Sequence, residues 1–126
     1  IKKIKESYEN INLEIHTNLS RKEIAELYKT CSIGILINND SIHATKFTSP
    51  LKFFEYIASN LKILANQNPA HNLLPYQDNF YYFDENRAES IEEAISNVLA
   101  APEPQYQNIL THSMNDRVKK IIDLFE

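Results

Sequence analysis

Ile11, Leu13 and Ile15 alternate with polar neighbours near the start of the chain. That period of two is what a strand with one buried face requires, so a strand is expected over 11–16. Next, Ser20-Arg21-Lys22-Glu23 has the form of a capping box, in which the serine hydroxyl accepts from the backbone N–H three residues on and the glutamate reaches back. Ile24, Leu27 and Tyr28 then share one helical face. Ile33 to Ile37 is a continuous apolar run, as expected of a strand covered by helices on both faces, and takes the central place in a parallel sheet. Its Gly34, the only glycine in the chain, marks close approach of a backbone or a ligand; tight helix packing is the preferred reading.

The alternation continues. A loop over 38–48 leads to a helix from about Pro50 to Ser59, a short strand at 63–65 and a further strand at Phe80-Tyr81-Tyr82-Phe83, whose tyrosines read as packing residues. Ser90-Ile91-Glu92-Glu93 has the form of a second capping box, opening a helix with Ile91, Ile95 and Val98 on one side and Pro102 and Pro104 beyond its end. Val118, Ile121, Ile122 and Phe125 form the stripe of a last helix, spaced to lie back across the domain. The order predicts an α/β fold, a Rossmann-like parallel sheet sandwiched between helices.

Length and composition narrow the classes. A chain of 126 residues holds one core, so 1–126 is expected to be a single domain. It is expected to be a partial one, because Ile1 to Glu6 already reads as the body of a helix with no initiator methionine before it. No apolar run approaches the roughly 20 residues of a spanning helix. A formal charge of −4 with no Lys/Arg run speaks against a nucleic-acid surface, which needs clustered cations. The single cysteine, Cys31, suggests a reducing cytoplasm and reads as a small core residue. His16, His43, His71 and His112 lack the spacing of metal ligands, so no metal site is expected.

Candidate chemistry concentrates in Thr48 to Tyr56, where a loop beyond a strand's carboxyl end meets a helix start. Ser49 is a good N-cap and Pro50 suits the first helical position. The free N–H groups of such a turn favour an anion, and Lys52 adds a full charge. At about 100° per residue, Phe53, Phe54, Ile57 and Ala58 fall on one side, and Lys52, Glu55, Tyr56 and Ser59 on the other. Without a ligand, Lys52 and Glu55 would form an i,i+3 ion pair on a solvated face, worth about 0.2–0.5 kcal/mol.

Ser49 to Ala65 resembles the segment S-P-x-K-x-x-E-Y-x-A-x-G-x-P, then two β-branched residues and alanine, of retaining GT-B glycosyltransferases, especially family 4. Glu23 to Ile37 resembles that family's E-x-x-x-x-Y-x-x-A-D segment with its following strand, and Ser113 to Arg117 its S-W-x-x-R. The resemblance implies the C-terminal, donor-binding half of a GT-B fold, which takes a nucleotide-diphosphate sugar, a UDP- or GDP-hexose, as substrate and needs no cofactor. Glu55 would hold the ribose hydroxyls, as a carboxylate accepting from two vicinal hydroxyls can. Ser49, Pro50, Leu51 and Lys52 would face the diphosphate; Asn18, Leu19 and Thr48 would lie near the base or sugar. Transfer would retain anomeric configuration, with an acceptor such as a cell-surface glycan precursor.

Departures from the family pattern are specific. Phe47 stands where a second glutamate is usual, Asn60 for a glycine, Lys62 for a proline and Met114 for a tryptophan. The family's first strand, with its basic pair for the diphosphate, and its acceptor-binding N-terminal domain have no counterpart here, so the chain alone is expected to be inactive. The full-length protein is expected in the cytoplasm, with room for peripheral contact at the inner membrane surface. The rival reading is a non-catalytic α/β interaction module derived from a transferase domain.

Overall fold

The computed structural model describes residues 12–39, 51–107, 109 and 113–123. Helix α1 (Arg21–Tyr28) opens with the expected box: Ser20 Oγ accepts from the Glu23 N–H at 3.3 Å, and Glu23 Oε2 accepts from the Ser20 N–H at 2.7 Å. The Ser20 hydroxyl also donates to Glu23 Oε2 at 2.6 Å, and that bond, then the one from the Ser20 N–H, holds the Glu23 carboxyl below its ordinary pKa. Strand β1 (Ile33–Leu36), helix α2 (Leu51–Ala58) and strand β2 (Lys62–Asn66) follow. Two 3-10 turns, His71–Leu73 and Gln77–Asn79, lead to β3 (Phe80–Phe83), α3 (Ala88–Ala100) and α4 (Met114–Ile122).

The three strands among the described residues form one parallel sheet in the order β1-β2-β3, with Gly34, Ile63 and Phe80 in register. The molecule is α/β, a small open sheet with helices on its faces. Side-chain alternation along β2 divides the core. Ile63 and Ala65 belong to a cluster with Leu36, Phe53, Ile57 and Phe80 under α2, whereas Leu64 packs with Phe83, Ala94 and Val98 under α3.

Several expectations are corrected. Among the described strands the central one is β2, all five of whose residues are buried, not Ile33 to Ile37. α3 packs on β3 and β2, which leaves Ile35 54% and Ile37 60% exposed on the far side of β1. Residues 12–16 are not a strand and Ile15 is exposed, because alternation supplies a buried face but not a neighbouring edge to pair with; Ile11 lies outside the described residues. α3 begins at Ala88, and Ser90 Oγ accepts from the Asp84 N–H at 3.0 Å, so the second capping box does not form. Cys31 is exposed, its thiol directed at the Leu27 carbonyl at the end of α1. On α4, Val118 and Ile122 are about half exposed and do not seat the helix; Phe125 lies outside the described residues.

Candidate functional site

On α2 the buried residues are Phe53, Tyr56 and Ile57, an i, i+3, i+4 stripe, so Tyr56 faces the sheet and Ala58 faces out, the reverse of the wheel assignment. The cause is Gly34. A Cβ at that position would lie 2.5 Å from Tyr56 Cδ2 and 2.6 Å from Cγ, so the ring occupies the space a side chain would fill. Gly34 therefore serves helix packing, and Tyr56 reaches past it to donate to the Ile35 carbonyl at 3.1 Å.

Tyr56 in turn meets α1. The Tyr28 ring stands edge-on to it, with centroids 5.5 Å apart and planes at 79°. From there the Tyr28 hydroxyl donates to Glu55 Oε2 at 3.2 Å. Burial, then the Glu55 charge, pushes the Tyr28 phenol up to about 12, and the same two causes raise Tyr56. Both are protonated donors at neutral pH.

Glu55 lines a cleft of about 350 Å³ between α1 and α2, with Arg21, Ile24, Ala25, Tyr28, Leu51, Ala58 and Ser59. Its walls are apolar except for Glu55 and the Tyr28 hydroxyl on one part and Arg21 and Ser59 on others. Glu55 and Lys52 do not form the i,i+3 ion pair that a bare solvated face would give. Of the other residues singled out by sequence, Leu51 lines the cleft, and Lys52 is exposed on the first turn without lining it. Asn18, in left-handed backbone at φ 60°, and Leu19 precede the cap of α1 and do not line it. Thr48, Ser49 and Pro50, and with them the start of the helix, lie outside the described residues, as does Phe47.

A second arrangement lies at the carboxyl edge of the sheet, around the polar loop Asn66 to His71, whose asparagines and proline read from sequence as turn formers without a ligand. Asn66 ends β2 and is buried; its Oδ1 accepts from the Asn38 N–H at 3.1 Å, and its Nδ2 donates to the Asn38 carbonyl at 2.7 Å and to Glu85 Oε2 at 3.0 Å. One amide thus ties the segments following all three strands. His71, fully buried, sets Nδ1 at 3.0 Å from the Asn66 carbonyl, which makes Nδ1 the protonated nitrogen; Nε2 has no hydrogen-bond partner among the described residues. Burial lowers the His71 pKa, partly opposed by that hydrogen bond. Beside this hub Gln67, Asn68, Pro69, Asn72 and Tyr82 line an open hollow of about 390 Å³. In the sequence the hub showed as a polar loop leaving the carboxyl end of a strand, with nothing to mark Asn66 and His71 as partners.

Two of the departures from the family pattern, Asn60 and Lys62, have structural roles. Asn60 takes φ 59°, the left-handed conformation that ends a helix. Lys62 is buried and its ammonium donates to the Ala101 carbonyl at 2.7 Å, with Glu103 at 3.5 Å, clamping the end of α3. Among the described residues, no group of three or more His, Cys, Asp and Glu side chains converges, and no helix is long and apolar enough to cross a membrane. Compared with protein-family models, curated proteins and solved structures, the chain gives no match.

Proposed function

We propose that this chain is a donor-binding domain of a GT-B-type glycosyltransferase, taking a nucleotide-diphosphate sugar, UDP- or GDP-linked, for retaining transfer. The observation that supports the reading is the setting of Glu55: exposed, it lines a cleft between α1 and α2, with one oxygen engaged by Tyr28 and no lysine paired with it among the described residues. In this reading Glu55 takes the ribose hydroxyls, Ile24, Ala25 and Leu51 give the cleft its apolar side, and Lys52 with the amides after Ser49 takes the diphosphate. Electrostatic support of the departing diphosphate is the chemistry such a helix start can supply to the intact enzyme. The acceptor, the cytoplasmic setting and any peripheral membrane contact belong to the same proposal.

A second reading, a non-catalytic interaction module, is favoured by the exposed Ile35 and Ile37 on one face of β1. Titrating UDP and GDP into the full chain separates the two. Saturable amide shifts over residues 48–56 and the facing side of α1, weakened about tenfold or more by Glu55→Gln, support the first reading. Silence at millimolar nucleotide overturns it and leaves the module.

A further inference from the structure

We infer that Tyr28 is a positioning residue for Glu55: its hydroxyl fixes one carboxylate oxygen so that the other is presented to a pair of vicinal hydroxyls in the cleft. This rests on the reading of Glu55 as the ribose-binding acid. A glutamate on a helix surface has several freely rotating side-chain bonds, and ordering them on binding opposes affinity. Here the ordering is built in. β1 leaves a gap at Gly34; the Tyr56 ring fills it and is tethered to the Ile35 carbonyl at 3.1 Å. Tyr28 stands edge-on against that ring, and its hydroxyl reaches Glu55 Oε2 at 3.2 Å. The chain of contacts runs from the sheet backbone to the carboxylate through two rings with few rotamers.

The arrangement leaves the acid competent. A carboxylate has about four acceptor sites, and Tyr28 takes one of them, so Oε1 and a second position on Oε2 stay open to a ligand diol. The Tyr28 phenol, pushed above its ordinary value of 10 by burial and then the Glu55 charge, stays a donor into the alkaline range as well as at neutral pH. Tyr28 lines the same cleft as Glu55, so its loss would be felt where the ligand sits.

A double-mutant cycle on the full chain tests this, with UDP and GDP and their 2′-deoxy forms as probes and amide shifts or calorimetry as readout. Tyr28→Phe keeps the ring and its contact with Tyr56, and an unchanged thermal midpoint shows that the fold is kept. The expected result is about fivefold weaker binding of the better ribonucleotide in the parent, less than about twofold further weakening in a Glu55→Ala background, and a smaller effect on the 2′-deoxy probe. Equal losses in both backgrounds, or no loss from Tyr28→Phe while Glu55→Ala weakens binding, overturn the role of Tyr28 and leave Glu55 standing. Absence of binding by the parent, or binding indifferent to Glu55→Ala, removes the Glu55 reading and this inference together.

Discussion

Gly34, Tyr56, Tyr28 and Glu55 act as one unit, and the first of them can be tested without any ligand. A methyl group at Gly34 would meet Tyr56 at its Cγ and Cδ2, close to the rigid root of the ring, so it cannot be accommodated by a swing of the side chain's tip. Gly34→Ala is expected to cost about 1–3 kcal/mol, the usual range for overpacking, read as a lower midpoint in thermal or denaturant unfolding. A midpoint equal to the parent's would mean that the ring has room to move. Sequence identified Glu55 as a candidate because its spacing from Ser49 and Lys52 matched a family pattern. It misassigned Tyr56, because a helical wheel sorts residues by angle and has no knowledge of a gap in the strand beneath.

At the scale of elements, α1 is the clearest case of local determination. It has no buried residue of its own, so its cap and its contact with α2 through Tyr28 hold it in place. Ser20→Ala is expected to lower amide protection over residues 24–28 about fivefold in hydrogen exchange while leaving protection in β2 unchanged. Loss of protection in both would show that α1 unfolds only with the core. The lowered Glu23 pKa gives a sign to the pH response: the cap's contribution is present above the ordinary carboxylate value of 4.5 and is lost as pH falls through the depressed folded value. β3 was legible to the residue because its aromatic run coincides with its pairing, whereas α3 starts three residues early, at Ala88 instead of Ile91, because Ser90 caps the Asp84 amide instead of its own helix.

For the molecule as a whole, the Asn66–His71 hub gives a prediction about global stability. His71 is buried with one ring nitrogen spoken for and the other without an acceptor among the described residues, so the folded state resists its protonation. The unfolded chain takes up that proton near the ordinary value of 6.5, so stability is greatest above it, declines as pH falls through it, and levels off below the depressed folded value. The thermal midpoint is expected to fall between about pH 7.5 and pH 5, and His71→Asn, whose amide can still donate to the Asn66 carbonyl, is expected to flatten that slope. An equal slope in the variant would assign the decline to other groups.

What the sequence determined by itself is whatever depends on near neighbours: the capped start of α1, the positions of α2, β2 and β3, and the presence of an acid one turn beyond Lys52. These follow from periodicity and capping, which act over a few residues. Tertiary structure alone decided that β2 is the central one of the described strands, that residues 12–16 pair with nothing described, that Tyr56 turns inward and that Asn66 and His71 join the loops. Each of these depends on which surfaces meet across long separations in sequence, and burial and hydrogen-bond satisfaction are settled only when those surfaces are in contact.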